Sequence, residues 1–183
     1  MPRAGLSRAV VIEEAADLAD ETGLDRLTLA ALAARFGVAV PSLYKHVDGL
    51  EGVRRGITVL ALRELTEAMA AVPDLRGRCL AYRAYAKAHP GRYAATIRAV
   101  PPDDADAVAA ATALLALVNA SLATVGLAGD AAIDGARWLR ATLHGFMTLE
   151  AAGGFGMPRE VERSFARAVE GLEAGLAALA ADA

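Results

Sequence analysis

Residues 28–47 read TLAALAARFGVAVPSLYKHV, and the spacing inside this stretch decides the fold. Leu29, Leu32, Ala33 and Phe36 recur at i, i+3, i+4 and i+7, the stripe of a short amphipathic helix with Thr28 as its N-cap. Gly37 closes that helix, and Val38 is placed to pack back over the corner. A second helix is expected from about Val40 to His46, with Pro41 in its first turn, where a missing N–H does no harm. Two short helices joined by a glycine-containing turn describe a helix-turn-helix, whose second helix enters the major groove of DNA. An ordinary helical hairpin has the same spacing, so the pattern alone leaves both open.

The side chains suggest a division of labour. Phe36, Val38, Leu43 and Val47 are the residues that would lock the second helix onto the first. Val40, Ser42, Tyr44, Lys45 and His46 are then free to face outward. Lys45 and Tyr44 suit phosphate oxygens, Ser42 a base edge or a phosphate, and Val40 a thymine methyl. The formal net charge of -3 hides a local basic cluster of Arg35, Lys45, Arg54 and Arg55, opposed by Asp48 and Glu51.

Outward from this core, the same helical period continues. A first helix should run from the N-cap Ser7 to about Thr22, burying Ile12, Ala15, Ala16 and Ala19 and ending at Gly23. Asp48 and Glu51 have capping-box spacing and open a fourth helix reaching about Ala71, stopped by Val72-Pro73. Further helices are expected over 74–89, 91–98, 103–125, 130–152 and 158–180, separated by Pro101-Pro102 and the Gly153–Gly156 stretch. Alanine-rich and poor in strand-forming runs, the chain should be all-α, with a helix-turn-helix domain over 1–50 and a helical domain over 51–183.

The stretch LTLAALAARFGVAVPSLYKHVDGLEGV resembles the N-terminal signature of the TetR family, with LYKHV in its expected place. AYRAYAKAHPGRYAATI (residues 81–97) and RWLRATLHGFMTLEAAGGFG (residues 137–156) resemble the C-terminal domain named for Trp-His-Gly, here Trp138, His144 and Gly145. Three positions depart from the family pattern. Ala39 stands where many relatives cap the recognition helix with Ser or Thr, Val40 and Pro41 where polar residues often follow, and Leu50 where lysine is common. The resemblance implies a reader made of Thr28, Ala39, Val40, Pro41, Ser42, Tyr44, Lys45 and His46, resting on double-stranded, palindromic operator DNA. It also implies a homodimer formed by the last two long helices and a small-molecule effector held between helices. Without effector the readers sit at operator spacing; with it, a change carried along the fourth helix lowers DNA affinity, making the chain a repressor.

Independent signals for these implications are thinner. Ala168, Gly171 and Gly175 put small residues at near-turn spacing on the final helix, and an interior helical Gly costs about 1 kcal/mol against Ala, which close approach of a second helix would offset. Candidate pocket residues are Tyr82, Tyr85 and Tyr93, Asn119, and Trp138, Thr142, Phe146 and Met147, although aromatic and Met side chains on helices are more often plain core.

Other functions find little support. His46, His89 and His144 lie on different segments without metal-ligand spacing, so neither metal nor cofactor is expected. Cys79, the single cysteine, permits no intrachain disulfide and reads as a small core residue. No phosphate loop, dinucleotide fingerprint or nucleophile elbow occurs, and no catalytic residue is assigned. The N-terminus lacks a signal-peptide apolar region, and the uncharged run 107–129, rich in alanine with Thr112, Asn119, Ser121 and Thr124, is expected to be a buried core helix. A cytoplasmic protein without a membrane partner follows. The rival reading is a helical ligand-binding or scaffolding protein that does not recognise DNA.

Overall fold

The computed structural model describes residues 5–181, and every regular element among them is helical, as expected. The α-helices are α1 (Arg8–Thr22), α2 (Leu29–Phe36), α3 (Gly49–Ala70), α4 (Leu75–Ala88), α5 (Pro90–Thr96), α6 (Ala105–Thr124), α7 (Gly129–Ala151) and α8 (Val161–Ala181). Short 3₁₀ segments occupy Leu24–Arg26, which the sequence reading missed, and Val40–Lys45.

The caps explain where the helices begin. Ser7 Oγ accepts from the Val10 N–H at 3.3 Å, and Thr28 Oγ1 accepts from the Ala31 N–H at 3.1 Å. Asp74 and Asp104 do the same for Gly77 (2.7 Å) and Ala107 (3.1 Å), opening α4 and α6. Gly37 ends α2 in the left-handed region at φ 64°, and the Val38 N–H returns to the Ala33 carbonyl at 3.0 Å. That is the Schellman closure expected of a helix stopped by glycine.

The segment 40–46 departs from expectation. It is not an α-helix but a 3₁₀ run over Val40–Lys45, with the Ser42 N–H bonded to the Ala39 carbonyl at 2.9 Å and the His46 N–H to the Leu43 carbonyl at 2.9 Å. Ala39 supplies no side-chain cap. The chain must also turn again at Gly49 (φ 67°), so few residues are left to build an i→i+4 ladder.

Two compact packing units result. Among the described residues, one holds 5–64 together with Ala88–Ala111, and the other Leu65–Lys87 with 112–181. The first joins Val11, Ala15, Leu27, Leu32, Leu43, Val53 and Ile57 into one core, to which α5 adds Ala95. This packing division differs from the functional boundary expected at residue 50, because α5 returns to lie on α1. The second unit pairs α7 with α8. Leu139, Leu143 and Met147 are buried on α7, and Phe165, Val169, Leu172 and Leu176 on α8, both at helical spacing.

The reading of 107–129 as a buried core helix is corrected. On α6, Ala107, Ala110, Ser121 and Leu122 are buried, but Val108 and Leu115 are 40% and 52% exposed. By length and composition α6 is the one described helix that could cross a membrane (mean hydropathy 1.8), which by itself is weak evidence.

Candidate nucleic-acid interface

Leu43, with no exposed surface, and Val47 anchor the Val40–Lys45 turn in the core shared with α1, α2 and α3. Phe36 and Val38 pack on the same core, half-buried, as the locking role requires. Val40 packs there too, so its side chain is shared between core and surface rather than projecting freely toward a base. Ala39, Pro41, Tyr44 and Lys45 are exposed, while Ser42 and His46 are half-buried. Tyr44 stands 59% exposed at the end of the turn, a large aromatic left in solvent without a core role. Thr28 is exposed; its oxygen caps α2, which leaves its hydroxyl proton available to a phosphate.

The charges around this turn rearrange the expected basic cluster. Arg35 does not join it. Its Nε donates to Glu14 and its Nη1 to Glu21, each at 2.5 Å, tying α2 to α1. The hydrogen bond from Arg35 in turn holds the Glu21 carboxyl below its usual range. Lys45 therefore remains as the exposed cation of the turn, with Arg54 and Arg55 one helix further on. Arg55 has Asp104 only at 3.9 Å, a loose exposed pairing worth little.

The candidate effector residues fall into separate neighbourhoods. Tyr82 and the buried Tyr85 pack with Leu65, Met69, Leu114, Leu117 and Val118. Phe146 packs between Phe155 (4.7 Å between ring centroids, planes tilted by 46°) and Phe165 (5.0 Å, edge-on at 67°). Trp138 is 42% exposed and covers Gly175 of α8. Met147 is core, Thr142 is half-buried, and Asn119 is exposed. Tyr93 is buried in the other unit, with α1 and α5.

Family comparison then decides the class. Residues 11–48 match the family described as bacterial regulatory proteins, tetR family, and residues 75–172 match the tetracyclin repressor-like C-terminal domain. The HTH-type transcriptional regulator Rv0681 of Mycobacterium tuberculosis is 39% identical over 158 residues, covering 82% of this chain and 72% of its own. The chain belongs to the TetR family. A second relative in this family, the HTH-type regulator YobS of Bacillus subtilis, is 32% identical over 183 residues, covering 96% and 95% of the two chains. Among solved structures, a Rhodococcus sp. RHA1 protein matches at 25% identity and TM-score 0.77, covering 97% of this chain and 99% of its own. A TetR variant of Acinetobacter baumannii AYE in complex with minocycline shares the fold at 20% identity and TM-score 0.73, covering 96% and 99%. As a TetR-family protein the chain is a helix-turn-helix transcriptional regulator, and its family is not one of enzymes.

In this TetR-family chain, sequence reading missed an ionic cluster gathered around the buried Arg83. Arg83 donates to Glu150 through Nε (2.8 Å) and Nη2 (2.6 Å), contacts Glu162, and lies 4.7 Å from the Phe165 ring centroid. Lys87 adds a contact to Glu150 at 3.0 Å. Arg83 holds the Glu150 carboxyl below its usual range. Glu150 alone among the apolar neighbours of its helix end was the available signal, but its partner lies 67 residues away in sequence. Cys79 is buried, and burial pushes its thiol up to about 12, followed by the effect of Glu173 and Asp74, so it is the inert core residue expected.

The His89 side chain makes no cap to α5; its Nδ1 faces Asp20 at 3.2 Å and Arg92 Nη1 at 3.0 Å.

Proposed function

We propose that this chain is a homodimeric repressor that reads a palindromic operator through Ala39–His46 and leaves it when a small molecule binds its C-terminal part. The carrying observation is the Val40–Lys45 turn, fixed from below by buried Leu43 and presenting exposed Tyr44 and Lys45. Thr28, Tyr44 and Lys45 take phosphates; Pro41, Ser42, His46, Ala39 and part of Val40 face the groove, giving a reader that relies on apolar contact. The functional boundary lies near residue 50, with α3 carrying the coupling. Lys45→Ala is expected to weaken binding almost uniformly across DNA sequences and to lower the salt slope by about one unit. Titration of one duplex at several salt concentrations measures this, and an unchanged slope removes Lys45 from the interface.

The dimer is built on α7 and α8. Gly175 has an internal reason for its small size as well, because a Cβ there would lie 2.1 Å from Trp138 Cη2 of the same chain. An added Cβ at Gly171 would meet nothing within 4 Å, nor would one at Gly145 on α7, so close packing inside the chain explains neither of these glycines within a helix. A second copy packed against Gly171 and Ala168 supplies a reason. Gly171→Ala should therefore weaken self-association although it raises intrinsic helix propensity by roughly 1 kcal/mol. Sedimentation equilibrium checks this; a tighter dimer would place Gly171 outside the interface.

For the effector, the neighbour from Acinetobacter binds minocycline, and ActR of Streptomyces coelicolor, 20% identical, was solved with (S)-DNPA. By analogy, effector release here draws on Tyr82, Thr142 and Phe146, which are half-buried. The Trp138, His144 and Gly145 positions support placement in the Trp-His-Gly subgroup. The ligand acts by preferring one of two reader spacings, since equal affinity for both would shift nothing.

A further inference from the structure

Arg92 is the most enclosed cation whose contacts the structure describes, with 5% of its side chain exposed, and the DNA-reading account so far leaves it unused. From α5 it reaches across to one face of α1. Its Nη2 contacts Asp17 at 2.8 Å and Glu13 at 3.1 Å, its Nη1 contacts Asp20 at 2.7 Å, and its backbone N–H donates to the other Asp20 oxygen at 2.8 Å. Nε faces Glu64 of α3 at 3.5 Å, long for a hydrogen bond. Burial alone would lower the guanidinium pKa, but Glu64, Asp17 and Asp20 outweigh it and hold the group charged. Beside it, Gly91 lies so close to α1 that a Cβ would fall 2.2 Å from the Ala19 carbonyl oxygen. The neighbouring face of α1 carries Glu14 and Glu21, which hold Arg35 of α2.

Helix α1 is thus gripped by an arginine from the helix-turn-helix and by another from α5. We propose that Arg92 is a positioning residue for DNA reading: within one packing unit it latches α1, and the reader packed on it, to α5 and to the Glu64 end of α3, and so fixes the angle at which the turn is held. This rests on the regulator reading and adds a second fixing point to α3. Buried ion pairs contribute little net stability because desolvation offsets attraction, whereas a forked guanidinium holding several carboxylates fixes an angle. Lysine keeps the charge but loses the fork.

The test uses full-length wild type, Arg92→Lys and Arg92→Met on operators whose half-site spacing is varied base pair by base pair, with amide exchange of α1 measured without DNA. The expected result is that both variants lose roughly tenfold of the discrimination between best and neighbouring spacings. The half-site consensus and salt slope should stay as in wild type, and α1 amides should exchange faster. A wild-type spacing profile in either folded variant overturns the proposal, as does equal loss of binding at every spacing or unchanged α1 exchange. Should Arg92→Met not fold, Arg92→Lys decides. If wild type binds no DNA sequence selectively, the regulator reading fails on its own; unchanged α1 exchange then overturns the latch, and faster exchange confined to α1 supports it.

Discussion

Replacing Gly91 by Ala is expected to lower the melting temperature of the full chain by about 6–12 °C, corresponding to roughly 3 kcal/mol for a chain of this size. The added Cβ would lie 2.1 Å from the Ala19 carbonyl carbon, 2.2 Å from its oxygen and 2.5 Å from the Asp20 nitrogen. These are backbone atoms of a hydrogen-bonded helix, so no rotamer change relieves the clash. Relief requires α5 to lift from α1, which would also open the contacts of Arg92 and uncover Ala95, now 1% exposed. Gly56 provides a contrast: there the nearest atom to an added Cβ is Ile12 Cδ1 at 2.3 Å, the movable end of a side chain. Thermal unfolding followed by circular dichroism measures the shift. A wild-type melting temperature for Gly91→Ala would mean that α5 is not seated on α1 as described.

Leu43→Ala is expected to destabilise the chain by about 2–5 kcal/mol and to abolish selective DNA binding. Leu43 is fully buried and lies in the middle of the Val40–Lys45 turn. Because that turn is 3₁₀ and lacks a side-chain cap, it has little regular structure of its own to preserve its orientation. Its placement relies on Leu43 and Val47 below it. Loss of the isobutyl group leaves a cavity and frees Tyr44 and Lys45 from a common geometry. Weak, salt-sensitive binding through Lys45 should persist, since phosphate attraction needs charge more than register. Denaturant titration and competition between operator and random duplex measure the two effects. Retained selectivity would show that the turn orients itself without Leu43.

Much of this was legible because it is local. The i, i+3, i+4, i+7 stripe of Leu29, Leu32, Ala33 and Phe36, the Thr28 cap and the Gly37 stop lie within ten residues, and all appear in α2. The form of the recognition element was not legible from the same rules. The period that marks α-helix is barely sampled over Val40–Lys45, and the outcome there depends on the next turn at Gly49. Pairings distant in sequence were hidden for a different reason. Arg92 with Asp17 and Asp20, and Arg83 with Glu150, read as ordinary surface charges until tertiary packing encloses them. Arg35 shows the consequence for the candidate site: counted as DNA-facing charge, it is spent on Glu14 and Glu21. Gly175 teaches the same lesson for small residues, whose role depends on which helix comes close.

The central claim is that this TetR-family chain reads DNA through an apolar-leaning turn presented by a symmetric dimer. Selection of bound duplex from a random pool, using the full chain at moderate salt, tests it most directly. The expected result is enrichment of a palindrome whose half-sites are centred about 34–36 Å apart or a multiple of this. Thymine should recur where Pro41 and Val40 approach the groove. Failure to enrich any sequence, or enrichment of a single unrepeated half-site, would contradict it.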